Sequence, residues 1–131
     1  MTSERSGVVK TFRCAAQMQK TPDVSRDDVL RVIARDFPDD IDAVMSLLDA
    51  ITCPLIGADR LHLAHLKLSA GSLPKLHESL AIPDSRDVVS YAEHPAYSKR
   101  GWSAIDKMSP DEVQSIVDDD WHQYESWLNA E

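Results

Sequence analysis

The chain of 131 residues has only two cysteines, Cys14 and Cys53, and they stand far apart outside any CxxC pair. This scarcity argues against a zinc site and against a disulfide framework, so we expect two free thiols in a reducing compartment. No apolar run approaches the roughly 20 residues that cross a bilayer, and the N-terminus lacks the continuous apolar segment of a secretory signal. We therefore expect a cytoplasmic protein without a membrane segment.

Motifs of nucleotide binding and covalent catalysis are also missing. The sequence contains no GxGxxG, no GxxxxGK[ST], no HExxH and no GxSxG. Neither cysteine has a histidine nearby in the sequence, so no pair of nucleophile and base is recognisable. Enzyme activity stays undecided on these grounds, and we favour its absence together with the absence of a cofactor.

Basic residues are concentrated at the N-terminus. Residues 1–22 contain four basic residues and one acidic residue, namely Arg5, Lys10, Arg13, Lys20 and Glu4. Because the whole chain has a formal net charge of −8 and this segment contributes +3, residues 23–131 have a net charge of −11. We expect a basic, flexible arm at 1–22 and one acidic domain at 23–131. The acidic charge disfavours binding to a nucleic-acid backbone and fits a protein partner with a basic surface.

No segment alternates between apolar and polar residues for long enough to predict a strand. Apolar residues instead recur at spacings of three and four, which is the period of a helix. Helix starts are indicated by Ser25 with Asp28 and by the capping box at 109–112, which has Pro110 in the first helical position. We predict an all-α domain, a bundle of five to seven helices.

The most apolar segment, about 58–70, is predicted to form a buried central helix. Its apolar residues occupy more than one side of the helix: Leu61, Leu63, Ala64, Leu66, Leu68 and Ala70. Only Arg60, Lys67 and Ser69 are expected to face water. Gly71 is suited to the left-handed position that ends a helix. A helix that is apolar over most of its circumference is typical of the centre of a bundle.

One pattern of leucines and helix caps covers roughly residues 25–95. Its residues are Arg60, Leu63, Ala64, Leu66, Lys67, Leu68, Ser69, Gly71, Leu73, Lys75, Leu76, Arg86, Asp87, Val88, Ala92, Glu93 and Pro95. The pattern resembles that of small bacterial all-helical proteins of unassigned function. This resemblance implies a helical fold and a bacterial origin. It implies no activity and no catalytic residue.

Three residues of the central helix form the candidate metal site. His62 and His65 stand three residues apart, and Asp59 lies one turn before His62. All three could share a face and offer nitrogen and oxygen ligands to a metal ion. The set is incomplete, so a structural role of the two histidines at the edge of the core is the favoured interpretation.

The last helix presents an acidic face. Asp111, Asp118, His122 and Glu125 lie within about sixty degrees of one another at 3.6 residues per turn. Such a face suits a divalent cation or a basic partner. The alternative is an ordinary solvated face, because the consecutive residues Asp118-Asp119-Asp120 point in three directions.

Residues 94–108 have no helical period and are predicted to form a loop. Its first part combines two aromatic and two basic residues: Tyr97, Lys99, Arg100 and Trp102. Tyr, Trp and Arg often anchor protein interfaces. The two aromatic side chains could equally fill a gap between helices.

We therefore expect a small protein-binding or regulatory module that uses the acidic last helix, the aromatic and basic loop, or both. Two alternatives stay open. One is a metal-dependent enzyme or metal-binding protein that uses His62 and His65, and the other is an acidic mimic of nucleic acid.

Overall fold

In a computed structural model of the chain, residues 21–131 are described, without the side chain of Trp102. This part of the chain contains seven helices and no strand. The helices are α1 (Arg26–Asp36), α2 (Ile41–Asp49), α3 (Ala58–Ser69), α4 (Leu73–Leu80), α5 (Ser85–Glu93), α6 (Pro95–Asp106) and α7 (Pro110–Asn129). The predicted all-α fold class is confirmed. The predicted arm at 1–22 falls mostly on residues 1–20, which lie outside the described residues, and Pro22 is already buried in the body.

The helix α3 lies at the centre because two apolar clusters pack on different sides of it. Leu63 and Leu66 belong to a first cluster with side chains of α1, α2 and α4. Leu61 and Ala64 belong to a second cluster with side chains of α5. A helix shared by two clusters needs apolar residues over most of its circumference, which explains the sequence pattern. The predicted central helix is confirmed.

The expectation that Ser69 faces water is wrong. Its side chain is fully buried, and the hydroxyl donates a hydrogen bond of 2.7 Å to the backbone carbonyl of Leu66. A serine can be buried in a helix when its hydroxyl bonds to the preceding turn in this way. Lys67 is half-buried, and Arg60 is half-buried against an acidic partner described below.

The end of α3 shows why glycine follows it. Gly71 has a φ of 77°, the left-handed conformation predicted for it, and Ala70 before it also has a positive φ of 49°. A Cβ atom on Gly71 would lie 3.4 Å from the backbone oxygen of Asp36, which is an ordinary contact distance, so the left-handed backbone rather than the space favours glycine here. Glycine therefore allows the turn that ends α3.

The predicted loop at 94–108 is wrong, because most of it forms the helix α6. Two local features hide the helix: Pro95 at its first position and Gly101 in its interior. Its start is also stabilised from elsewhere, since the side chain of Asp120 on α7 accepts from the backbone N–H groups of Ala96 and Tyr97. Because the capping residue lies on another helix, the sequence next to α6 contains no capping signal.

The helices α6 and α7 form a hairpin with a third apolar cluster. Ile105 of α6 packs in this cluster with Val113 and Val117 of α7. Farther along α7, Trp127 and Leu128 pack against the first cluster instead. The two halves of α7 thus join the hairpin to the rest of the bundle. None of the helices within 21–131 is long and apolar enough to cross a membrane.

The C-terminal end of α7 is capped by α1. The guanidinium of Arg35 donates to the backbone carbonyls of Trp127 at 2.7 Å and Ala130 at 2.8 Å. It also lies over the Trp127 ring, 5.4 Å from the centroid, and hydrogen-bonds Asp36 at its side. The cation compensates the negative end of the α7 dipole, which no basic residue of α7 itself does.

Candidate functional site

The predicted acidic face of α7 lies on the side of the helix away from its buried stripe. Asp111, His122 and Glu125 are exposed, and the half-buried Asp118 accepts a hydrogen bond of 2.7 Å from the side-chain amide of Gln114. Among residues 21–131 the structure shows no ion pair to any of these four residues. We call Asp111, Asp118, His122 and Glu125 the acidic face.

The helix that carries this face has a large excess of negative charge. Its 20 residues include six carboxylates and neither lysine nor arginine. Its N-terminus is fixed by the predicted capping box, in which the Ser109 hydroxyl accepts from the N–H of Glu112 at 3.2 Å and the Glu112 carboxylate accepts from the N–H of Ser109 at 2.9 Å. Both ends of α7, the helix that carries the acidic face, are therefore capped.

The three consecutive aspartates do point in three directions, and one of them does not face water. Asp119 is exposed, Asp118 is half-buried, and Asp120 is only 2% exposed. The two carboxylate oxygens of Asp120 accept one backbone N–H each, from Ala96 and from Tyr97, both at 3.0 Å. Asp120 of α7 thus caps the start of the neighbouring helix α6.

Replacement of Asp120 by Asn should lower the free energy of unfolding by about 1–3 kcal/mol, because a buried charged acceptor of two N–H groups is lost. Asp119→Asn is the matched control, with the same chemical change on the exposed neighbour, and should leave the urea midpoint nearly unchanged. Equal midpoints for both variants would show that the cap contributes little to stability.

Some residues of the segment predicted to be a loop pack against other helices, and others lie on the surface. Tyr97 is half-buried and packs against the third cluster, where burial, with a smaller contribution from Asp106, raises the pKa of its hydroxyl. Lys99 and Arg100 are exposed, and within the described part of the chain neither takes part in an ion pair. The side chain of Trp102 lies outside the described residues, so its predicted binding role stays a prediction.

The two histidines of α3 are both buried and both have other partners. The Nδ1 atom of His62 lies 3.3 Å from the guanidinium of Arg26, and Asp59 forms an ion pair of 2.9 Å with the same guanidinium. The Nδ1 atom of His65 lies 2.8 Å from the Ser79 hydroxyl. These contacts hold α3 to α1 and to α4.

Burial is the main influence on the charge of these rings. It lowers the pKa of His62, with Arg26 acting in the same direction and Asp49 and Asp59 opposing it. It lowers the pKa of His65 to about 4, with His62 as the smaller cause. Within residues 21–131 no group of three or more His, Cys, Asp or Glu side chains is arranged to hold a metal ion.

A buried ion pair between α3 and α5 was not predicted from the sequence. Arg60 donates two hydrogen bonds to the carboxylate of Glu93, Nε to Oε2 at 2.8 Å and Nη2 to Oε1 at 2.7 Å. Glu93 is buried, and its hydrogen bonds with Arg60 raise the pKa of that guanidinium. The available signal is that Glu93 follows the buried Val89 by four residues, so it lies on the apolar side of α5.

Two further polar side chains surround this ion pair. His94 lies next to it, with Nε2 4.0 Å from the Glu93 carboxylate, and the buried hydroxyl of Tyr124 from α7 faces the same region. Burial raises the pKa of Tyr124, with Glu93 adding to the effect and Arg60 opposing it. In the described part of the chain the Tyr124 hydroxyl and the Nδ1 atom of His94 have no hydrogen-bond partner. The junction of α3, α5 and α7 is therefore polar and tightly enclosed.

Comparison of the chain with protein-family models, with curated proteins and with solved structures finds no significant match. The functional argument consequently depends on the geometry and charge of the chain itself.

Proposed function

We propose that the protein is a cytoplasmic binding module that recognises a basic surface of another protein through the acidic face of α7. The observation that supports this proposal best is that the acidic face has no internal counter-charge among the described residues. Three other carboxylates, all of them buried or half-buried, are used internally: Asp59 pairs with Arg26, Glu93 pairs with Arg60, and Asp120 caps α6. The acidic face is left available for an external cation.

The position of these charges supports binding rather than stability. Glu125 lies in the second half of α7, where a negative charge is unfavourable with respect to the helix dipole. Charges that do not stabilise their own helix commonly steer a partner of opposite sign and raise the rate of encounter. Lys99 and Arg100 on the neighbouring α6 supply positive charge. A negative and a positive surface on the same α6–α7 hairpin would orient a partner that carries both charges.

The geometry gives less support to the other two hypotheses. Both histidine rings of α3 are buried, and Asp59 is occupied by Arg26, so a metal ion would have to displace existing contacts. A mimic of nucleic acid would use the same acidic charge, and its partner would be a protein that itself binds nucleic acid. The identity of the captured partner separates this alternative from our proposal.

The test is a kinetic comparison of two variants with equal net charge. The partner is first captured from the host by cross-linking to the full chain and then purified. In the face variant, Asp111 and Asp118 become Asn and Glu125 becomes Gln. We expect its association to slow by about tenfold at low salt and to depend less on salt, while dissociation stays nearly unchanged.

The control variant neutralises three exposed carboxylates away from α7: Asp39 before α2 and Asp42 on α2 become Asn, and Glu78 on α4 becomes Gln. It should associate at close to the wild-type rate. Equal slowing in both variants would show that only net charge matters and would contradict a specific role of the acidic face. Release of the captured partner by duplex DNA or RNA would favour the mimic.

A further inference from the structure

His94 joins α5 to α6, as the residue that ends one helix and precedes the other. Its backbone N–H donates to the carbonyl of Ser90 at 2.8 Å, and its carbonyl accepts from the N–H of Ser98 at 2.8 Å. The hydroxyls of Ser90 and Ser98 also hydrogen-bond each other across the junction. The imidazole is only 6% exposed. The ring is therefore enclosed in a junction that hydrogen bonds connect to both α5 and α6.

The ring of His94 makes no hydrogen bond in the described part of the chain. The Nδ1 atom has no partner within the described residues, and the Nε2 atom lies 4.0 Å from Glu93, too far for a hydrogen bond. Both oxygens of Glu93 already accept from Arg60, and both oxygens of Asp120 accept from backbone N–H groups of α6. A protonated imidazole would bring two donors and a positive charge into an enclosed site in which the Glu93 carboxylate lies 4.0 Å away and already accepts from Arg60.

The charged groups that face His94 come from three helices. Burial is the largest influence and lowers its pKa, and Arg60 of α3 acts in the same direction. Glu93 of α5 and Asp120 of α7 act in the opposite direction, but less strongly than burial. A group whose pKa is lowered in the folded state stabilises the fold fully above its ordinary pKa, about 6.5 for histidine, and less as the pH falls below it.

Of the helices on either side of His94, α6 has fewer buried apolar side chains than α5 among the described residues. Among the described residues, Ile105 is the one buried apolar side chain of α6, whereas every residue of α3 from 61 to 66 is buried. Segments with few buried apolar contacts open at the lowest free energy. We propose that the α5–α6 junction is an acid-sensitive hinge, in which protonation of His94 opens the junction and releases α6 from α7 while α1–α5 stay folded.

Hydrogen exchange of the full chain tests the hinge. Backbone amides of residues 96–106 are followed at about pH 7.5 and about pH 5.5, with correction for the intrinsic exchange rate, and we expect their protection to fall about tenfold at the lower pH. Amides of α1 and α3 should keep most of their protection. His94→Asn, which cannot be protonated, should abolish the change in α6, whereas His77→Asn, at an exposed histidine of α4, should retain it. An undiminished loss of α6 protection in His94→Asn would overturn the proposal.

A second measurement keeps the proposal testable if His94→Asn does not fold. The ring of His94 in the wild-type chain is titrated by nuclear magnetic resonance, and we expect its protonation and the loss of α6 protection to share one midpoint below pH 6.5. Protonation of the ring with α6 still fully protected would overturn the proposal. An equal loss of protection in α1, α3 and α6 would also overturn it, because the event would then be global unfolding.

Discussion

Replacement of Arg60 by Met is expected to lower the free energy of unfolding by about 3–5 kcal/mol, because it leaves a buried carboxylate without its partner. Glu93 is 2% exposed and accepts both of its strong hydrogen bonds from Arg60. The opposite change, Glu93→Gln, should cost less, since the Arg60 side chain is 27% exposed and its guanidinium can turn toward water. Urea unfolding near neutral pH measures both values.

The double variant Arg60→Met/Glu93→Leu provides the decisive comparison. It removes both charges at similar volume and should be more stable than Arg60→Met alone, because no unpaired charge is left in the interior. The control is Arg86→Met, which removes an exposed arginine that pairs with Asp84 at 2.9 Å, and it should hardly change the midpoint. A wild-type midpoint for Arg60→Met would mean that the buried pair contributes nothing.

Replacement of Leu66 by Ala is expected to lower the free energy of unfolding by about 2–5 kcal/mol, the usual cost of a cavity left by a fully buried leucine. Leu63→Ala should have an effect of the same size, since both side chains pack in the first cluster. Leu61→Ala removes a side chain from the second cluster and should be similarly costly. Because α3 belongs to both clusters, each variant should unfold in a single transition.

The control for this series is Leu55→Ala, because Leu55 is 79% exposed in the connection between α2 and α3. It should change the free energy of unfolding by no more than about 0.5 kcal/mol. Effects below about 1 kcal/mol for both Leu63→Ala and Leu66→Ala would contradict the central position of α3.

Helices whose signals lie within their own sequence were predictable, because the residues that form each signal are close to one another along the chain. The Ser109 capping box, the left-handed Gly71 and the apolar pattern of α3 all belong to this class, and the structure contains each of them. The missed helix, α6, has its cap on another helix. No local pattern could reveal that Asp120 accepts the first N–H groups of α6.

The candidate sites divide in the same way. The acidic face was predicted from the 3.6-residue period, because its members are on one helix. Asp111, His122 and Glu125 are exposed, and Asp118 is half-buried. Its role in binding stays a prediction. The polar junction around Glu93 was missed, since its members come from α3, α5 and α7 and are brought together only by packing.

By itself, the sequence determined the all-α class, the central helix and the acidic face, because each depends on propensity, period or charge along one segment. Only the tertiary structure decided the use of individual polar groups: Asp120 as a cap for α6, Arg35 as a cap for α7, and Glu93 as the buried partner of Arg60. The physical reason is that a buried charge must be satisfied by whichever donor or acceptor the fold brings within about 3 Å, and in this protein that partner lies on a different helix.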